Sequence, residues 1–108
     1  MIKLILSVLP FLLLSGNIAA NNCDYESILF SYLAKQHKST EGCFLIDPKD
    51  VSAEGKGVLS LKVRERHNKK CGGDPETMPT AGIFRVNTSS CRIDEFNIAE
   101  DEYVKLNY

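Results

Sequence analysis

The sequence has no tryptophan, and its other aromatic residues number only five phenylalanines and four tyrosines in 108 residues. A chain this short and poor in large side chains builds one domain with a modest core, which buries roughly 60 to 65 per cent of its unfolded surface. Two-domain enzymes, dinucleotide-binding folds and repeat arrays are excluded, because each needs more chain or a repeat period. Neither sign of charge dominates, with 13 Lys and Arg against 14 Asp and Glu, which argues against nucleic-acid binding.

Signatures of catalysis and of metal binding are also missing. The sequence contains no Walker loop, no HExxH, no GxSxG, no EF-hand spacing and no Cys-x-x-Cys pair. We therefore predict no cofactor, no metal ion and no catalytic residue, and favour a protein that is not an enzyme.

The longest apolar run is near the N-terminus, where Lys3 precedes apolar residues 4–14 and the small and polar residues 15–20. This order is typical of a secretory signal peptide, and the run is shorter than the about 20 residues of a membrane-spanning helix. We predict a signal peptide at residues 1–20, cleaved after Ala20, and a single domain at residues 21–108. The mature protein is then periplasmic or secreted and has no membrane anchor.

Helical spacing of apolar residues predicts one amphipathic helix at residues 23–38. The residues with this spacing are Tyr25, Ile28, Leu29, Tyr32 and Leu33. Apolar runs and alternation predict four strands, at residues 43–46, 58–67, 82–87 and 91–98. Residues 47–57 are predicted as a loop or broad hairpin connection, and the tail 100–108 as either an edge strand or a loose segment. The expected fold is α+β, with one N-terminal helix packed on a four-stranded antiparallel sheet.

Four cysteines follow the predicted leader, and an even number in an exported chain favours disulfides over a metal site or a reactive thiol. In an antiparallel meander the end of the helix and the exit of the second strand share one edge. We therefore predict that Cys43 pairs with Cys71 and that Cys23 pairs with Cys91. The loops closed in this way span about 28 and 68 residues.

Two groups of polar residues are candidates for function. Lys62, Arg64 and Arg66 alternate along the second strand beside Arg85, so this basic stripe either docks an anionic surface or is a solvated face neutralised by Asp94, Glu95 and residues 100–102. Glu65 and His67 lie together near the end of the same strand. These two are either a hydrogen-bonded structural pair or an acid and base in a rim pocket. His67, Cys71 and Asp74 have the chemistry of metal ligands, and Cys71 beside His67 that of a thiol nucleophile, but the simpler interpretation is a disulfide at Cys71 and a turn closed by Asp74 before Pro75.

The run HNKKCGGDPET at residues 67–77 resembles a motif, HxxxCGGDPxT, of small exported bacterial proteins of unassigned role. The order of helix and strands is also similar to cystatin-like and PepSY-like modules, several of which bind or inhibit secreted hydrolases. The resemblance of the motif covers about 30 residues and implies no particular activity, whereas the similarity of layout implies a binding function.

The leading hypothesis is an exported, non-enzymatic binding protein with a protein partner, considered first as an inhibitor or immunity-type partner of a secreted or envelope hydrolase. Its presented surface is the loop at residues 68–79. The alternatives are a small hydrolase or metal-dependent enzyme that uses Glu65, His67 and Asp74, and a structural accessory of the cell envelope. The oligomeric state is left open. The predicted binding residues are His67, Asn68, Gly72, Gly73, Asp74, Arg64, Arg66 and Arg85.

Overall fold

The computed structural model describes residues 23–108, so the predicted signal peptide and its cleavage site lie outside the described residues. Within this range one helix packs on an antiparallel sheet, as predicted for an α+β domain. The helix, α1, spans Tyr25–His37, and the strands are β1 (Phe44–Leu45), β2 (Val51–Gly55), β3 (Val58–Glu65), β4 (Thr80–Asn87), β5 (Arg92–Asn97) and β6 (Glu102–Lys105).

Helix α1 follows the predicted apolar stripe and has a side-chain cap at its start. The carboxylate of Asp24 accepts a hydrogen bond from the backbone N–H of Ser27 at 3.2 Å. The helix ends at His37, and its C-cap, Lys38, is in the left-handed region with φ of 52°. Leu29 and Leu33 are fully buried against the sheet.

The sheet has the order β1-β3-β4-β5-β6, with β2 pairing beside β1 along the same edge of β3. All pairs are antiparallel, and β3, β4 and β5 are the interior strands of the sheet. Their inward residues meet α1 in a core that includes Leu61, Val63, Phe84, Val86 and Ile93. The core therefore lies on the face of the sheet that carries the alternating apolar residues of β3 and β4.

The prediction of four strands was wrong, since the described residues form six. Residues 47–57 contain β2, which pairs with β3 from Val51↔Leu61 onward. The segment reads as a loop because most of β2 is exposed, so its side chains carry no apolar alternation, and it joins the sheet through its backbone. Of the two alternatives predicted for the tail, the edge strand is the one observed, since residues 102–105 form β6.

Both predicted disulfides are confirmed. Cys23 is bonded to Cys91 with a Cα–Cα distance of 5.3 Å, and Cys43 to Cys71 with 5.6 Å. The first joins the chain just before α1 to the turn between β4 and β5, and the second joins the start of β1 to the loop after β3. None of the helices in residues 23–108 is long and apolar enough to cross a membrane.

Candidate functional site at the 68–79 loop

The loop at residues 68–79 joins β3 to β4 and lies beside the C-terminal end of α1. A cleft of about 200 Å³ separates His37, at the end of α1, from Gly72 and Gly73 of the loop. Phe44 of β1 and His67 also line this cleft. The predicted loop residues are therefore together at one end of the domain.

His67 is the centre of a hydrogen-bonded group that we call the His67 cluster: Glu65, His67, Asp74 and Thr77. Its Nε2 lies 2.9 Å from Glu65 Oε1, and its Nδ1 lies 2.9 Å from the backbone oxygen of Asp74. The Thr77 hydroxyl donates to the same Asp74 oxygen at 3.1 Å and lies 3.2 Å from Nδ1. The cluster thus fixes the middle of the loop to the end of β3.

The partners of the His67 ring favour its protonated form. Both nearest partners are acceptors, so only an imidazolium donates from both nitrogens at once. The hydrogen bond to the Glu65 carboxylate, and then the one to the Asp74 carbonyl, raise the pKa of His67 above its ordinary value. The ring therefore links the end of β3 to the loop through both of its nitrogens.

Gly73 packs directly on the His67 ring. Its φ is +81°, and a Cβ at this position would lie 2.6 Å from Cγ of His67. A side chain here would displace the imidazole, so glycine is needed both for the backbone conformation and for the contact. Gly72 has the same φ, but open space surrounds the position that its Cβ would take.

Two side chains close turns within the loop. Asn68 accepts from the backbone N–H of Cys71 at 2.8 Å through its side chain, and from that of Gly72 at 2.7 Å through its own carbonyl. The Asp74 carboxylate accepts from the backbone N–H of Glu76 at 2.9 Å. These are turns of the Asx type, which explains why Asn and Asp occupy these positions.

The ends of the loop are joined to the sheet. The backbone N–H of Glu65 donates to Pro79 at 2.8 Å, and that of Arg66 donates to Cys43 at 2.7 Å. The guanidinium of Arg64 donates to the carbonyl of Met78 at 3.0 Å. With the disulfide at Cys71, the loop is therefore fixed at both ends and in its middle.

The side chains that make none of these contacts remain available at the surface. Residues 68–70 and 72–79 are exposed, and Met78 exposes 47% of its surface although it is apolar. The exposed set includes Lys69, Lys70, Pro75 and Glu76. A rigid backbone thus presents a mixed polar and apolar surface.

Two of the four cations of the predicted basic stripe, Arg64 and Arg85, have acidic partners, and these are residues other than those expected. Arg64 contacts Asp50 at 2.7 Å, and this hydrogen-bonded guanidinium lowers the pKa of the Asp50 carboxyl. The Nε of Arg85 lies 3.0 Å from Glu54 without a well-aligned hydrogen bond, and its guanidinium lies 3.9 Å above the ring of Tyr103. Both acidic partners come from residues 47–57, the segment predicted as a loop.

Two of the acidic residues expected to neutralise the stripe have other partners. Asp94 contacts Arg92 at 3.1 Å. Glu95 turns to the helical side of the sheet, where it accepts a hydrogen bond of 2.6 Å from Tyr32. Burial and this hydrogen bond raise the pKa of Tyr32 to about 12. Of the predicted binding residues on the stripe, only Arg66 extends from an exposed position next to the loop.

The geometry brings Glu65 and His67 together as predicted, but Asp74 contributes its backbone carbonyl and not its carboxylate to His67. The ideas of a thiol nucleophile or a metal ligand at Cys71 are contradicted, because this cysteine is bonded to Cys43. In the part of the chain that the structure describes, no group of three His, Cys, Asp or Glu side chains is placed to hold a metal ion.

Sequence reasoning missed Thr77 and Asp50. Thr77 follows Asp74 by three residues, a spacing at which a hydroxyl reaches back to a turn carbonyl, so a local signal existed. Asp50 lies in the turn just before β2 and contacts Arg64 of β3, and only the pairing of these two strands brings the residues together.

Comparisons with models of protein families, with curated proteins and with solved structures find no match to this chain.

Proposed function

We propose that this protein is an exported, non-enzymatic binding protein that recognises a protein partner through its 68–79 loop. The observation that carries the proposal is the contrast within the loop: its backbone is fixed at many points, whereas its side chains are exposed. A loop ordered before binding loses less conformational entropy on docking, which raises affinity without additional contacts. Loops fixed by a scaffold are also where binding residues concentrate.

The partner that we consider first is a secreted or envelope hydrolase, with this protein as its inhibitor or immunity-type partner. Two disulfides are compatible with the periplasm or the exterior of the cell, where the predicted signal peptide would direct the chain. The resemblance of residues 67–77 to exported bacterial proteins supports the same compartment. The relation to cystatin-like and PepSY-like modules remains a prediction.

The alternative of an enzyme built on Glu65, His67 and Asp74 has less support from the geometry. Both ring nitrogens of His67 already face acceptors of the same chain, so a substrate would have to displace one of them. The Asp74 carboxylate closes a turn. The alternative of a structural envelope accessory makes no use of the fixed loop.

The test is affinity capture from envelope and secreted fractions with a loop variant and a matched control. K69E/K70E reverses two exposed charges in the loop, and K49E/K56E makes the same change at two exposed lysines elsewhere. We expect the control to retain, and the loop variant to lose, a partner whose hydrolase activity falls when the wild-type protein is added. Equal capture by both variants, or capture of no partner, would contradict the proposal.

A further inference from the structure

The two edges of the sheet differ in how they are protected from pairing with another strand. The edge formed by β1 and β2 is interrupted by Pro48 and by a shift of register between Ala53 and Gly55. Prolines, bulges, charged residues and short length all limit edge-to-edge association. Strand β6 is four residues long and carries Glu102 and Lys105, but it has no proline and no bulge, and its pairing with β5 is regular from Asp94↔Lys105 to Asn97↔Glu102.

Strand β6 offers unpaired backbone groups on its outer side. The N–H of Leu106 donates to Ile93 at 2.8 Å, so the residues of the tail that face β5 are 102, 104 and 106. The N–H and C=O groups of Tyr103 and Lys105 therefore point away from the sheet. Within residues 23–108, β6 pairs with no strand other than β5.

Exposed apolar side chains concentrate around this edge. Four large apolar residues are exposed in the described range, and three of them flank or belong to β6: Ile98 at 80%, Val104 at 45% and Tyr108 at 64%. A groove of about 450 Å³ beside Tyr32 and Val104 leaves this side of β6 uncovered by α1. Clustered apolar exposure is typical of an interaction surface.

We propose that β6 is a self-association edge, on which β6 of a second copy of this chain pairs antiparallel to continue the sheet. The body of each domain lies on the far side of its own β6, so the two copies are related by a two-fold axis perpendicular to the sheet. Opposite residues then point to the same face. One residue of β6 then lies directly opposite the same residue of the second copy, and the axis passes between the two.

The backbone and the charges select Val104 as that residue. An axis at Val104 pairs Tyr103 with Lys105 of the second copy on both sides, so all four outward backbone groups of each strand form hydrogen bonds. An axis at Lys105 would place two like charges opposite each other. An axis at Tyr103 would extend the pairing into Asp101, whose φ of 55° lies outside the strand region.

The same arrangement matches the exposed apolar residues at the ends of the edge. Ile98 lies in the turn before β6 and Tyr108 in the tail after it. Antiparallel pairing brings the turn of one copy to the level of the tail of the other, once at each end. The two Val104 side chains meet at the axis. A second copy therefore gives each Val104 an apolar contact and brings the Ile98 turn to the tail of its partner, whereas the Tyr108 hydroxyl donates to the Cys91 carbonyl of its own chain.

The first test is sedimentation velocity of the purified, disulfide-bonded protein from about 10 µM to about 1 mM, because a four-residue edge gives a weak dimer. We expect a reversible monomer–dimer equilibrium. The variant V104K should raise its Kd about tenfold or more, since it places two ammonium groups opposite each other on the axis. K49E, on the protected side of the sheet, should leave the Kd unchanged.

The second test is cross-linking at the axis. V104C should form a disulfide-linked dimer under mild oxidation, because cross-strand pairs of this kind have Cβ atoms about 5 Å apart. S52C, which introduces a cysteine at an exposed position of the opposite edge strand, is the control. A monomer at every concentration, or equal cross-linking by V104C and S52C, would overturn the proposal.

Discussion

The two disulfides should differ in what their removal does to the protein. Replacing Cys43 and Cys71 by alanine opens a closed loop of 28 residues, and replacing Cys23 and Cys91 opens one of 68. The chain entropy released to the unfolded state corresponds to about 3.6 kcal/mol for the shorter loop and about 4.4 kcal/mol for the longer one. Removing the 23–91 bond should therefore lower the free energy of unfolding more, by about 0.8 kcal/mol.

For the local stability of the 68–79 loop, in contrast, removal of the 43–71 bond should have the larger effect. Only the 43–71 bond joins this loop to β1, so its removal should speed amide exchange at Gly72 and Thr77 by about tenfold or more through local opening. Removal of the 23–91 bond, at the other end of the domain, should change the exchange of these two amides only through the loss of global stability.

Urea unfolding gives the first comparison and amide exchange followed by NMR gives the second. Each variant serves as the control for the other, because both remove one disulfide. Equal protection of Gly72 and Thr77 in the two variants would refute the reasoning, since it would mean that the His67 cluster and the turns fix the loop without the disulfide.

Three further predictions concern single residues, all measured by urea unfolding. The raised pKa of His67 implies a contribution to stability that is fully present below about pH 6.5 and is lost as the pH rises through the folded-state pKa. The variant H67Q should lack this decline, and parallel pH profiles of the two proteins would contradict the prediction. G72A should lower the free energy of unfolding by about 1 to 2 kcal/mol because of its positive φ alone. G73A should lower it further, because only Gly73 touches the His67 ring, and equal losses would contradict that contact. F84A should lower the free energy of unfolding by about 3 to 5 kcal/mol because the ring is fully buried. F96A, on the face of the sheet opposite α1, should lower it by about 1 kcal/mol, and similar losses in the two variants would contradict this position of the core.

The pattern of apolar residues was sufficient to predict the helix, the central strands and the face that carries the core. Helical spacing from Tyr25 to Leu33 and alternation along β3 report burial directly, because a buried face must be apolar. The cysteine pairing also followed from the sequence. In an antiparallel layout the order of the elements brings Cys43 and Cys71 to one edge and Cys23 and Cys91 to the other. Strand β2 has no such signal, because it contributes backbone hydrogen bonds and exposed side chains.

The site was predicted in part for the same reason. Gly72, Gly73 and Asp74 beside Pro75 are local turn signals, and the spacing of Glu65 and His67 on one side of a strand predicted their contact. Asp74 closes a turn before Pro75, as its position suggested, but its carbonyl as an acceptor of the His67 ring was not predicted, because that contact depends on how the loop folds back.

The sequence by itself determined the class of fold, the buried face and the positions where the backbone turns, since each of these depends on neighbours within a few residues. Only the tertiary structure decided which ions pair across the outer face, that the Asp74 carbonyl is the second acceptor of the His67 ring and that β6 is left as an open edge. These features depend on how the strands and the loop pack in the whole domain.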